Sequence, residues 1–184
     1  QGNIPSVLES IHEADINIAL FNRDVSALHQ DVSSLTKLDF EFKANGDLEA
    51  ILGAIDTSED LKNHIVLGKD IKDILQLFGE VSGAKSFRVL LETVKSNMCR
   101  KFHTDINDLR MLCTYTGPGT LWVQEEQLEN RALDAYVEGK DGIVEESGIR
   151  QAATGSVILL KGALYPKEGA KAILHRSPTI EESG

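Results

Sequence analysis

Cysteine is scarce in this chain: its 184 residues hold only Cys99 and Cys113. Two thiols make neither a disulfide framework nor a zinc-ribbon pattern, and their plain reading is as small hydrophobes buried in strands. An excess of positive charge is also lacking. Nineteen Lys and Arg stand against 29 Asp and Glu, for a net charge of −10, and no basic stripe gathers on one face. That balance argues against nucleic acid and against acidic membrane surfaces as partners. No apolar run approaches the roughly 20 residues that span a bilayer. The first residues carry no basic-then-apolar signal segment, so the expected address is cytoplasmic. Internal repeats and low-complexity stretches are missing too. The chain starts at Gln1 rather than Met and closes on Ser183-Gly184 after a turn-like Ser177-Pro178, so both ends read as trimmed. Its length predicts a single domain over residues 1–184 with a substantial core.

What is present is ordered in two styles. Residues 1–85 read as mainly helical and residues 86–184 as strands. Pro5 opens a short helix over 5–14, and Ile16 to Asn22 form an apolar strand. Asp24 is placed to cap a helix running to about Thr36, and Leu38, Phe40 and Phe42 alternate like a strand. Asn45-Gly46 signals a turn and Asp47 caps a helix to about Ile55. Thr57-Ser58-Glu59-Asp60 resembles a capping box that starts another helix. Ile71, Ile74, Leu75 and Phe78 give an amphipathic helix over Asp70–Val81, stopped by Ser82-Gly83. The predicted strands are Ser86–Lys95, Cys99–Asp105, Leu109–Thr116, Gly119–Val123, Gly155–Lys161 and Lys171–His175, with a polar helix over Glu125–Val137 and a charged loop over Glu138–Ala153. The solvated acid cluster Glu125–Glu129 opens that polar helix. This is an α+β plan, and short strands closed by Gly turns suggest a barrel or jelly roll.

The chemistry concentrates in Cys99-Arg100-Lys101-Phe102-His103-Thr104-Asp105 and, far along the chain, His175-Arg176. On a strand, His103 and Asp105 project from the same face. A bare His-x-Asp is weak: five histidines, each with a 29/184 chance of an acid two places on, give about one match by accident. A second match does exist, His29-Gln30-Asp31. There Val25, Leu28, Val32 and Leu35 recur at helical spacing, which puts His29 and Asp31 about 200° apart. Around His103 the flanking apolar residues alternate at period two instead, so only this pair is competent to share an ion. Two imidazoles and one carboxylate leave open positions on a metal. Parity on a regular strand would add Cys99 as a further ligand or a redox-sensitive neighbour.

Two stretches then carry a resemblance. Gly155-Ser156-Val157-Ile158-Leu159-Leu160-Lys161-Gly162 followed by Ala172-Ile173-Leu174-His175-Arg176 is similar to the late strands of double-stranded β-helix oxygenases, with His103 and Asp105 matching their early His-x-Asp. Cys99–Asp105, Leu112–Thr120 and His175–Pro178 more narrowly resemble a bacterial family of uncharacterised function, over roughly residues 15–184. The genes of that family often lie near those of zinc-chaperone GTPases. The resemblance implies a cupin-like, double-stranded β-helix barrel with N-terminal helices packed on it. It also implies a metal, Fe(II) or Zn(II), on His103, Asp105 and His175. For oxygenases it implies 2-oxoglutarate, whose far carboxylate takes an Arg or Lys on the last strand. That residue has no clear counterpart, because Arg176 adjoins the ligand and only nine residues follow His175. A final strand lies beyond the chain, or the cosubstrate differs, or there is none.

Arg110, Tyr115, Lys161 and Arg176 are therefore the candidate cofactor-binding residues, and a small molecule is the expected ligand. Gly117-Pro118-Gly119 lacks the Lys-Ser/Thr of a phosphate loop and reads as a tight turn. Trp122 reads as core or pocket wall, while His12, His29 and His64 receive no chemistry. Three functions stay open: an Fe(II) dioxygenase, a zinc protein of metal homeostasis using the same ligands, and a binding module with an empty barrel.

Overall fold

The computed structural model describes residues 1–123 and 148–179, which fall in two compact units. One comprises Asp24–Lys95. In it a two-stranded antiparallel sheet pairs β2 (Glu41–Gly46) with β3 (Phe87–Glu92). Phe42, Ala44 and Gly46 lie opposite Leu91, Val89 and Phe87 and form the less exposed face. The helices α1 (His29–Leu35), α2 (Leu48–Thr57) and α3 (Ile65–Ser82) belong to the same unit. Asp47 caps α2 by accepting the Ala50 N–H at 2.8 Å. Gly83, left-handed at φ 64°, ends α3. The capping box at Thr57–Asp60 starts no helix. Ser58 accepts the Leu61 N–H for a single turn, and α3 begins only at Ile65. Its first turn borrows a cap from elsewhere: Asp31 accepts the Leu67 N–H at 3.0 Å, with His64 3.6 Å away. The second His-x-Asp thus ties two helices together.

The other unit joins Gln1–Arg23 to the chain from Ser96 onward. Strand β7 (Val157–Lys161) is central in a sheet ordered β1-β7-β4, with β1 Ile18–Phe21 and β4 Leu109–Cys113. A second sheet is ordered β6-β5-β8, with β5 Leu121–Val123, β6 Ile149–Gln151 and β8 Leu174–Arg176. All these pairings are antiparallel. One face of β7 carries Ile158 and Leu160, which join Leu20, Trp122, Ala152 and Ile173 in a shared core, with Ile18 and Leu112 packed against it. The opposite face carries Val157, Leu159 and Lys161, and a 3₁₀ helix over Pro5–His12 packs on the sheet through buried Leu8 and Ile11.

Small antiparallel sheets with helices are thus present, and no closed barrel forms among the described residues. The reason is local. Residues 99–105 were expected as a strand, yet they make one isolated bridge, His103 with His175. Arg100, Lys101 and Asp105 give that stretch too little apolar surface for a full ladder. Strand β6 falls in the expected loop over Glu138–Ala153, and its exposed Arg150 and Gln151 hide the signal. The expected helix over Glu125–Val137, with its acid cluster, lies outside the described residues. No described helix is long and apolar enough to cross a membrane.

Candidate metal centre

Three distant side chains meet at one end of these sheets. His175 sits on β8 opposite Trp122 of β5, which turns its ring toward the core. The bridge places His103 beside it. The His103 N–H donates to the His175 carbonyl at 3.0 Å, and the His175 N–H returns the bond at 3.0 Å. The two rings lie 4.6 Å apart between centroids. Asp105 follows on a turn whose carbonyl accepts the Ala163 N–H at 2.8 Å. That packing of residues 105–108 on 162–164 requires Gly162. A Cβ there would stand 2.1 Å from the Asn107 carbonyl oxygen.

The imidazoles are oriented alike. Nδ1 of His103 lies 3.1 Å from the Lys101 carbonyl, and Nδ1 of His175 lies 3.2 Å from the Ile173 carbonyl. A carbonyl only accepts, so each Nδ1 carries a hydrogen, and Nε2 is the atom that holds the lone pair whenever the ring is neutral. Both Nε2 atoms face a carboxylate. His103 Nε2 is 3.8 Å from Asp105 Oδ1, and His175 Nε2 is 3.4 Å from Oδ2. Burial pushes the His175 imidazole below its ordinary 6.5, outweighing the opposite pulls of the Ile173 carbonyl and Asp105. A neutral ring in the metal-binding tautomer results.

Asp105 is 8% exposed, and its Oδ2 is buried without a hydrogen bond. Arg110 Nε approaches that oxygen to 2.9 Å as an ion pair, outside hydrogen-bonding geometry. A buried carboxylate oxygen with the Arg110 charge beside it but no hydrogen bond, next to the Nε2 atoms of two imidazoles, is a cluster that a bound cation would stabilise. One ligand atom from each of the three residues lies within 4.8 Å of the others. Bonds of about 2.0–2.2 Å to a shared ion call for donors roughly 3–4 Å apart, a spacing met between His103 Nε2 and Oδ1 and between His175 Nε2 and Oδ2. The donor set suits a divalent metal, and each imidazole already has the outer hydrogen bond typical of a metal ligand.

The remaining expected residues divide. Arg110 stands at the site. Its cross-strand partner is Leu160, so it leaves β4 on the core face. Lys161 is one residue on and points the other way. It is 1% exposed, donates to the Glu13 carbonyl at 2.5 Å and lies 4.7 Å over the Tyr165 ring. Strand parity thus sets this candidate cofactor-binding residue on the face of β7 opposite the one that Arg110 shares with Leu160. Arg176 also faces away from His175, with its guanidinium 5.3 Å over the Phe102 ring. Tyr115 lies beyond the opposite end of β4, 5.9 Å from the Arg23 guanidinium. Cys99 is exposed and stands outside the cluster, because the regular strand that would have aligned it with His103 does not form. Cys113 is partly buried, with Arg23 donating toward its sulfur at 3.4 Å. Gly119 makes the turn after β4 possible: a Cβ would stand 2.5 Å from the Ala152 carbonyl oxygen.

Residues 2–184 match the family described as Protein of unknown function (DUF1826). The chain belongs to that family. No curated protein matches it. Among solved structures, a crystal structure from Shewanella oneidensis is similar, that of a protein provisionally named an oxygenase. It is 12% identical, with a TM-score of 0.47 over 96% of this chain and 80% of that one.

Proposed function

We propose that this member of the family is a metal-dependent protein of double-stranded β-helix type, holding one divalent cation on His103, Asp105 and His175. The observation that carries the reading is the engagement of both Nδ1 atoms by backbone carbonyls, which turns two Nε2 atoms toward the Asp105 carboxylate, whose buried Oδ2 accepts no hydrogen bond. Two imidazoles, one carboxylate and no thiolate form the donor set of non-haem Fe(II) oxygenases, and we take Fe(II)-dependent dioxygenase as the activity. When bound, such an ion supplies open positions where dioxygen and an organic cosubstrate meet. The chain does the rest. Trp122 and the core behind it keep water from the inner side of His175, while His103, at 30% side-chain exposure, and Arg110 border the solvent side. A 2-oxoglutarate carboxylate would have Arg110 as its cation, since Lys161 and Arg176 point elsewhere.

Zinc is the second reading. Three protein ligands in their neutral or anionic forms also make an open zinc site. Elemental analysis of protein purified without added metal tests the shared claim. One divalent ion per chain is expected, lost in His103→Ala and retained in Cys99→Ser. No ion in the wild type would end the metal reading. Oxygen consumption with Fe(II) and 2-oxoglutarate separates the two readings: uptake supports the dioxygenase, and tightly held zinc with no uptake rejects it.

A further inference from the structure

Resting on the metal reading above, we propose that Arg110 competes with the cation for Asp105 and so keeps the affinity of the site moderate and its loading reversible. The two positive charges claim one atom. Arg110 Nε lies 2.9 Å from Oδ2, the same oxygen that lies 3.4 Å from His175 Nε2. A guanidinium built to hold a carboxylate permanently presents two parallel N–H groups to it. Here the contact is a single side-on approach and Oδ2 accepts no hydrogen bond. It is attraction without a directional tie.

Which partner yields is set by packing. Asp105 is 8% exposed, and its turn is held by the Ala163 N–H and the close seat on Gly162. Arg110 has 44% side-chain exposure, and its stem leaves β4 opposite Leu160, so its head can swing into water. The backbone beneath it stays fixed by the β4–β7 ladder. A cation that takes Oδ2 therefore displaces the guanidinium and leaves the carboxylate in place. Removing the charge of Arg110 deletes a competitor and a repulsion, and the site should bind its ion more tightly. If Arg110 served only to hold Asp105 in position, its removal would loosen the site. The two roles predict opposite signs.

The test is a competition titration of Zn2+ against a chromophoric chelator in wild type, Arg110→Gln, Arg110→Lys and His103→Ala. The expected result is an Arg110→Gln affinity about tenfold higher than wild type, near 1.4 kcal/mol, with Arg110→Lys close to wild type because it keeps the charge. Electronic spectra of the Co2+ forms should coincide in wild type and Arg110→Gln, which shows the ligand set unchanged. Should the Gln variant not fold, Arg110→Met keeps the apolar stem and repeats the measurement. Equal or weaker binding in the neutral variants overturns the competitor role while leaving the metal reading intact. Wild type that binds no more Zn2+ than His103→Ala overturns both.

Discussion

Lys161 shows how far a single side chain departs from its usual medium. It is buried on the face of β7 away from the proposed ligands, satisfied by one carbonyl and one aromatic ring. Desolvation, and then the charge of Lys167, hold its pKa below the ordinary 10.5. The unfolded chain therefore binds this proton more tightly than the native one. Stability rises with pH wherever the unfolded state carries more protons, so the cost of the buried charge is felt at neutral pH and is relieved as pH climbs toward 10.5. Wild type should gain stability relative to Lys161→Met across that window and level off above it. Chemical denaturation at a series of pH values measures the difference, and a flat or falling curve would refute the account. At this scale the sequence was legible where chemistry restricts residue type: His103, Asp105 and His175 are marked by what imidazole and carboxylate can do. It was illegible where facing matters, as for Lys161 and Arg110, because strand register decides which lysine or arginine reaches a site.

Elements were readable in proportion to their own periodicity. Helix α3 and strand β7 announce themselves, the first by apolar residues at spacing three and four, the second by an unbroken Val157–Leu160 run. Strand β6 and the bridge at His103 draw their pairing from partners elsewhere, so nothing local encodes them. The Thr57–Asp60 box failed for a related reason, because a distant Asp31 supplies the cap α3 uses. Glycine is the local device that did matter. Gly162→Ala would push a methyl into the Asn107 carbonyl, an overpacking that costs about 1–3 kcal/mol. The expected outcome is a lower melting temperature together with weaker Zn2+ binding, since Asp105 rides on the displaced turn. Unchanged binding in a folded Gly162→Ala protein would show the turn to be dispensable for the site.

For the molecule as a whole, the chain order and the spatial order differ. Residues 1–23 leave their neighbours in sequence and add β1 and a 3₁₀ helix to the strand-rich unit, a rearrangement no composition boundary near residue 85 reveals. All three proposed ligands belong to that unit. Asp47→Ala, which removes the α2 cap in the other unit, should cost about 1 kcal/mol in urea unfolding and leave the metal stoichiometry at one. Loss of the ion in a folded Asp47→Ala protein would contradict that separation of roles. The reciprocal pair of main-chain bonds between His103 and His175 joins positions 72 apart in the sequence and closes a ring of chain between them. Deuterium enters those two amides only when that ring opens. Their uptake rate is thus a clock for the opening of the whole pocket, legible without ion, substrate or turnover.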